Sequence, residues 1–511
     1  MTTTLFDGGR IRTMAGRPAD WVLVDDATVV ATGHAADAPG CDRHVDLQGA
    51  TLVPAFCDAH VHLPATGLYA AGMDFRNERS ATRIVDAFAA RAREGALLFG
   101  GNFEDPLDEP ITAHRLDTAV GARPALLARA DMHSCVASSA LLDALELDGL
   151  EGVDRDDDDR PTGYLRERAA GRAWTWFECA LPEQQQRAAL RAATTLAYSK
   201  GVASVHEMYV VEWRGWSSLA VAGDVLDGLA LEVVLYVATT DVERICELGL
   251  ERIGGDLFLD GSFGSHTAWL CEPYTSPPPA GSPERGIPYL SSEELRGFFA
   301  AAQRRDLQVG VHAIGDAAIE QALTAWEAVA DDVGLDQVRA KRHRIEHFEC
   351  SSDDHMRRAA RLALGASVQP AFDRFWGGER GMYARRIGPE RAAAMNRFRS
   401  MASAGLVVGA GSDSTVTPLD PFLQMAALRA HHVERESFDA SAALRAHTLD
   451  AHALAGRQGS AGSIEAGKDA HLALLDRDPV ESDPDELVDT EVLGTWISGT
   501  RVWPEEVAET A

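Results

Sequence analysis

Lysine is nearly absent from this 511-residue chain: of 48 basic residues only Lys200, Lys341 and Lys468 are lysines. The skew says little about fold, but it leaves few places for chemistry that needs a lysine amine. Positive charge is also scarce overall, with 48 basic against 78 acidic residues and a net charge of −30. Such a surface repels phosphate backbones, which argues against a nucleic-acid partner. The seven cysteines are scattered without a Cys-x-x-Cys pair, which points to reduced thiols in a cytoplasm rather than a disulfide framework. No apolar run approaches the ~20 residues that a membrane span requires. No basic-then-apolar leader opens the chain, so no secretory signal is visible. The acidic run from Asp154 to Arg160 reads as a solvated loop, and Ca²⁺ binding there is a poor second reading. A soluble cytoplasmic protein with one large and one smaller domain is expected.

What the sequence does contain is a set of metal-competent side chains at the ends of strand-like runs. His60 and His62 close the apolar run Thr51–His62, which reads as a buried strand. Residues two apart on a strand point the same way, about 6.6 Å apart, so two imidazoles can converge on one cation. A bare His-x-His is usually two ordinary polar residues at a strand end. Here His312 ends Gln308–His312, His347 ends His343–His347, and Asp413 follows Leu406–Ser412. Five such side chains in equivalent positions point to a metalloenzyme.

Four further strand-like runs, 202–206, 231–236, 256–260 and 364–369, bring the number of such runs to eight. Amphipathic stretches lie between them; in 316–326, Ile319, Leu323 and Trp326 share a face at helical spacing. Eight strand–helix units predict an α/β fold, a (β/α)8 TIM-like barrel whose active site lies at the C-terminal strand ends. The expected division is residues 1–53 and 456–511 in a β-rich terminal domain and 54–455 in the barrel. A segment of about 64–200 is too long for one crossover and is expected to be a largely helical insertion, a lid or pocket wall.

These motifs resemble the amidohydrolase superfamily, and within it the family-3 branch of formamide-deformylase-like metal-dependent hydrolases. The resemblance runs from about Trp21 to Trp503. It rests on Phe56-Cys57-Asp58-Ala59-His60-Val61-His62, Asp260-Gly261-Ser262 and its continuation to Ala268, His312-Ala313-Ile314-Gly315-Asp316, Arg344-Ile345-Glu346-His347, Gly411-Ser412-Asp413, and Gly462–Lys468. The resemblance implies a small β-sandwich built from both termini. It also implies His60, His62, His312, His347 and Asp413 as the metal-site residues. Relatives often carry a lysine, carboxylated to bridge two metals, four residues before the Asp-Gly-Ser motif; here that position is Asp256. Lys200 and Lys341 precede their strands and Lys468 lies in the terminal domain, so a lysine-carbamate bridge is excluded. An aspartate is several ångströms shorter than a carboxylated lysine, so unless the strand moves inward Asp256 cannot take its place. One metal is therefore expected rather than two.

Imidazole and carboxylate ligands suit Zn²⁺ first, with Fe²⁺, Mn²⁺ or Co²⁺ possible in the same geometry. In this reading His60, His62, His312 and Asp413 hold the ion, and Asp413 moves the proton of an activated water. His347 either binds a second metal or hydrogen-bonds the developing oxyanion. Asp413 and His347 are thus the expected catalytic residues, with His206, His266 and His133 as candidate substrate contacts; His206 is equally readable as a buried, hydrogen-bonded histidine. His266 stands where relatives usually have arginine, which predicts a less anionic substrate. Trp269, Phe372, Phe375 and Trp376 are equally readable as pocket lining or packing, and Cys57 receives no role. The expected activity is hydrolysis of a non-peptide C–N bond, an amide, in a small molecule. Two alternatives remain open. A ring-amidine deaminase would place a glutamate three residues after His312, where this chain has Gly315; a catalytically silent metal-binding barrel would have little reason to retain every ligand type. A homodimer would be common for this architecture.

Overall fold

The computed structural model describes residues 2–16, 18–92, 97–104, 106–129, 134–278 and 283–504. The chain divides into two compact units, the first comprising residues 1–61, 197–209 and 230–511 and the second 62–196 and 210–229.

The first unit contains eight strands alternating with helices: Phe56–Val61, Val202–Val210, Glu232–Ala238, Arg252–Phe258, Gln308–Ala313, Arg344–His347, Gly365–Val368 and Val408–Ala410. Each predicted run contributes a strand, although the boundaries move; the fourth strand begins four residues before the expected 256. The first three form one sheet, and the last five form another in chain order, parallel throughout. The hydrogen-bonded ladders do not close into a ring among the described residues. The two sheets nonetheless meet closely: Val61 and Ser414 form an isolated parallel bridge, and a Cβ placed on Gly255 would lie 2.6 Å from the Tyr236 Cβ. These strands read as almost unbroken apolar runs because both their faces are covered.

The helices start where their caps dictate. Ser291 and Glu294 form a reciprocal capping box before helix Ser292–Arg304. The predicted amphipathic helix spans Asp316–Val333, with Ile319, Leu323 and Trp326 fully buried. Trp326 stacks between Phe299, at a centroid distance of 4.1 Å, and His343, at 3.8 Å. His343 Nδ1 accepts from the Val309 backbone N–H at 3.0 Å, which only an unprotonated nitrogen can do. Burial, then the Lys341 charge, pushes this imidazole down to about 3 from an ordinary 6.5. The unfolded chain therefore binds the extra proton first. His343 is expected to withdraw stability as pH falls through about 6.5, by at most about 1.4 kcal/mol per pH unit, levelling near pH 3. Thermal midpoints between pH 7 and 4 check this: His343→Phe should flatten part of the slope, and an unchanged slope would refute the assignment.

Both termini contribute to one further sheet, from Thr3–Ile11, Ala19–Asp25, Thr28–Gly33, Arg43–Asp46, Thr51–Pro54, Leu472–Leu475, Val492–Ile497 and Thr500–Trp503. Hydrogen bonding links all eight strands into a single sheet, in the region where a small β-sandwich is expected. Phe6, Val22, Leu52, Leu472 and Trp496 form its core, with Phe6 edge-on to Trp496 at 5.3 Å. The run Thr51–His62 is not one strand. It breaks at Ala55, whose N–H goes to His471 O at 2.9 Å, while the Phe56 N–H goes to Gly201 O at 2.8 Å. One residue thus hands the chain from the terminal sheet to the parallel one.

The second unit corrects the expectation of a largely helical insertion. It carries a six-stranded sheet in the order Val153–Arg155, Pro161–Arg166, Ser134–Ala137, Ala125–Arg129, Leu98–Phe103, Met73–Asp74. Helices Ala81–Arg91, Ala113–Val120 and Glu167–Cys179 accompany it. The segment Ala125-Leu126-Leu127-Ala128 is rich in helix formers. It becomes a central strand because Leu126 and Ala128 enter one apolar core while Ala125 and Leu127 enter another. The acidic run forms an exposed hairpin turn in which Asp156 Oδ1 accepts from the N–H groups of Asp158 and Arg160. No helix among the described residues is long and apolar enough to cross a membrane.

Candidate functional site

The site is built at the C-terminal ends of the parallel strands of the first unit. His60 occupies the first strand, completely buried. Its Nδ1 lies 2.9 Å from Glu346 Oε2, which orients the ring and leaves Nε2 directed toward Asp413, 3.5 Å from its Oδ1. His347 is anchored likewise, with Nδ1 2.7 Å from Gln369 Oε1 and Nε2 3.4 Å from Asp256 Oδ1. His312 Nδ1 lies 3.1 Å from the same Asp256 oxygen. The ring centroids of His347 are 4.9 Å from His60 and 4.4 Å from His312. His62 is the first residue of the second unit, at the N-terminus of helix Leu63–Ala71, with its ring 6.0 Å from that of Trp213.

The central position of Asp256 overturns the argument from side-chain length. Gly254 pairs with Gly310 and Phe258 with His312, so four steps on one strand oppose two on its neighbour. The excess is a bulge, which turns the strand's side chains and bends it locally. Gly254 and Gly255 make it possible with φ of 82° and 70°, a region that glycine enters without cost. Across this bulge the Asp256 carboxylate reaches the imidazoles of His312 and His347. The Gly-Gly pair before Asp256 was the available sequence signal.

Three candidate site residues other than glycine share this unusual backbone, His266 at φ 59°, His347 at φ 69° and Asp413 at φ 50°. Backbone held in this region is often functional. At His347 it turns the side chain out of the alternation that buries Glu346. At Asp413 it follows the bond from its N–H to His60 O, 2.8 Å. Asp58 ties the first strand to the segment before Asp413, accepting from the N–H groups of His60 at 3.1 Å and Ser412 at 2.9 Å. Burial pushes its carboxyl up to about 6 against those bonds. Asp260 does the same beneath the His312 loop, receiving N–H groups from Ile314, Gly315 and Trp269.

Arg344 is the largest supporting element that sequence reading passed over. Its guanidinium is fully buried and grips Glu346 through Nε at 2.5 Å and Nη2 at 2.8 Å. It also donates to Ala59 O at 2.6 Å. Burial opposes the Glu346 charge, but Arg344 and His60 hold that carboxyl down at about 2. The spacing Arg344-x-Glu346 on a short strand was its signal, since alternate residues share a face.

His206 departs from its expected place. Its strand continues to Val210, and the ring lies fully buried with Nδ1 2.7 Å from Arg344 Nη1. Burial, then the Arg344 charge, pushes it well below the ordinary imidazole range. His266 is buried in the loop after the fourth strand, with Nε2 2.8 Å from Ser276 Oγ and its ring 4.9 Å from that of Tyr274. His133 lies outside the described residues. Phe372 stacks on His347 at 6.0 Å, and Trp376 packs on Phe372. Phe375 is exposed, and Trp269 contributes its backbone N–H to Asp260. Lys200 pairs with Asp420 and Lys341 with Asp306, away from this centre.

The donor set fits a divalent cation. Imidazoles whose outer nitrogens are tied to a carboxylate and an amide are the usual second layer around a metal. The acidity of the cluster has a further consequence: although burial opposes it, the bond to Asp256 and the charges of Asp413 and Asp256 push His347 up to about 9. The site therefore favours positive charge at its centre.

The alternation of parallel strands and helices, with histidines and aspartates gathered at one end, defines an α/β protein with a candidate metal centre. The Amidohydrolase family model matches residues 43–503, and the chain belongs to that family. It is 28% identical to YtcJ of Bacillus subtilis (strain 168), over 98% of this chain and 99% of that protein. It is 25% identical to N-substituted formamide deformylase of Arthrobacter pascens, over 98% of each. The crystal structure of an uncharacterized metal-dependent hydrolase from Pyrococcus furiosus superposes with a TM-score of 0.79 at 27% identity, covering 94% of this chain and 100% of that one.

Proposed function

We propose that this protein is a metal-dependent hydrolase that cleaves a non-peptide C–N bond, an amide, in a small molecule. The observation that carries the reading is the convergence of His60, His312, His347, Asp256 and Asp413 in one buried cluster. We read the eight strands as a (β/α)8 barrel with its chemistry at the C-terminal strand ends. His60, His62, His312 and Asp413 are the proposed ligands, and the imidazole–carboxylate set suits Zn²⁺. One ion is the count proposed, since no lysine carbamate is available to bridge two; Asp256, which faces both His312 and His347, is the group that would bridge if two were bound. When bound, such an ion polarises the amide carbonyl and acidifies a water.

The chain's own residues do the rest. Asp413 takes the proton of the attacking water at its carboxylate and delivers it to the departing nitrogen. His347, held by Gln369, donates from Nε2 to the oxygen on which negative charge develops. Asp256 shares that Nε2 and keeps the imidazole protonated. Glu346 and Arg344 hold the His60 ring in register throughout.

Metal content measured by plasma mass spectrometry on protein purified without added metal tests the reading. About one equivalent of zinc per chain is expected. A value near zero, with no activation by added divalent ions, would sink it in favour of a silent fold. A value near two would overturn the single-ion assignment and make Asp256 a ligand.

A further inference from the structure

Phe258 and Tyr289 lie between the histidine cluster and solvent. Phe258 is the residue at which the bulged strand rejoins its neighbour, directly opposite His312 and two positions after Asp256. Its ring stands edge-on to the His312 ring, 4.8 Å away at 68°. Tyr289 stands edge-on to Phe258 in turn, 6.4 Å away at 62°. Unlike most large side chains of this unit, Tyr289 keeps 52% of its surface exposed. That exposure does not come from a loose attachment. The Leu259 N–H is bonded to His312 O at 3.0 Å, and the Tyr289 N–H to Leu259 O at 2.9 Å. Both aromatic residues are thus tied through the backbone to the strand that carries a metal-site histidine. The fold holds an aromatic surface in place, beginning at the His312 imidazole and ending in water.

We propose that Phe258 and Tyr289 are specificity-determining residues that receive an aromatic substituent of the substrate, so that the preferred amides carry a phenyl-sized group beside the scissile bond. This rests on the amide-hydrolase reading above. The physical reason is that edge-to-face pairing leaves ring surface available, and a second ring gains from it beyond the area it buries. A flexible alkyl chain gains only the area and loses rotamer freedom on binding. The surface lies beside His312 rather than among the proton-transfer groups, so it acts on binding and leaves the chemical step alone.

The test uses the metal-loaded protein and two matched pairs of amides. N-benzylacetamide is compared with N-butylacetamide, and phenylacetamide with pentanamide, which covers a ring on either side of the bond. Hydrolysis is followed in the native protein and in Tyr289→Ser and Tyr289→Phe. Binding is followed by calorimetry with Asp413→Asn added to each, which reads affinity without turnover. Tyr289→Ser is expected to raise KM and Kd of the phenyl-bearing member of at least one pair about 10-fold. The alkyl member should move less than about 2-fold and kcat should hold, with Tyr289→Phe restoring the difference. Equal losses for both members, or no loss, would overturn the aromatic surface and leave the hydrolase reading standing. A native, metal-loaded protein that neither binds nor cleaves any of the four would overturn both.

Discussion

Asp413→Asn is expected to retain its metal and lose about 1,000-fold in kcat, the scale on which a positioned general acid–base operates. The substitution is nearly isosteric, and an amide oxygen can still face His60 Nε2, which lies 3.5 Å from the present carboxylate. The backbone that presents the side chain is held independently, by the Asp413 N–H on His60 O and the Ser412 N–H on Asp58. What disappears is the ability to take and return a proton. Metal analysis and single-turnover hydrolysis on the same preparation separate the two roles. Activity within about 10-fold of the native protein would remove Asp413 from the mechanism. Loss of metal together with activity would make it a ligand first and leave the proton carrier unassigned.

Gly254→Ala should be the most damaging small substitution in the parallel strands. The residue sits at φ 82°, and a Cβ there would lie 2.1 Å from Gly310 O, a backbone atom of the neighbouring strand that cannot swing aside. Left-handed backbone costs a non-glycine residue roughly 1–2 kcal/mol, and overpacking typically adds 1–3. A total of about 2–5 kcal/mol is expected, with metal affinity falling as well because the bulge that presents Asp256 must change. Gly405→Ala is the control: its φ is 96° but nothing lies within 4 Å of the added carbon, so only the backbone cost of about 1–2 kcal/mol should appear. Thermal midpoints and zinc affinity for the two variants give the comparison. If Gly254→Ala behaves like Gly405→Ala, the bulge is not the constraint inferred here.

The strands that carry the candidate ligands were legible because both features involved are local. A parallel strand buried on both faces reads as an apolar run, and a histidine or aspartate at its end interrupts that run visibly. His60, His312, His347 and Asp413 were therefore identifiable one at a time. Asp256 was legible as a residue but not as a position, since its reach depends on a bulge measured against the partner strand. Of the two readings of His206, the buried, hydrogen-bonded one stands. It looked like a strand end, but its strand runs four residues further, and Arg344, 138 positions away, occupies its ring nitrogen. The sheet of the second unit was hidden for a third reason. Ala125-Leu126-Leu127-Ala128 has helical preferences, and only apolar cores on both faces make it a strand.

Sequence by itself determined the alternation of strands and helices, the family and the residue types available for the chemistry, because each is written in short-range pattern and order along the chain. It also excluded a lysine bridge, since a residue type that is missing from the right place cannot be supplied by folding. Tertiary structure alone decided which carboxylate meets the imidazoles, which histidine is spent on an arginine, and where the terminal sheet ends and the parallel strands begin. Those outcomes turn on bulges, left-handed residues and buried ion pairs between positions far apart in the chain, whose geometry exists only once the neighbouring strands are in place.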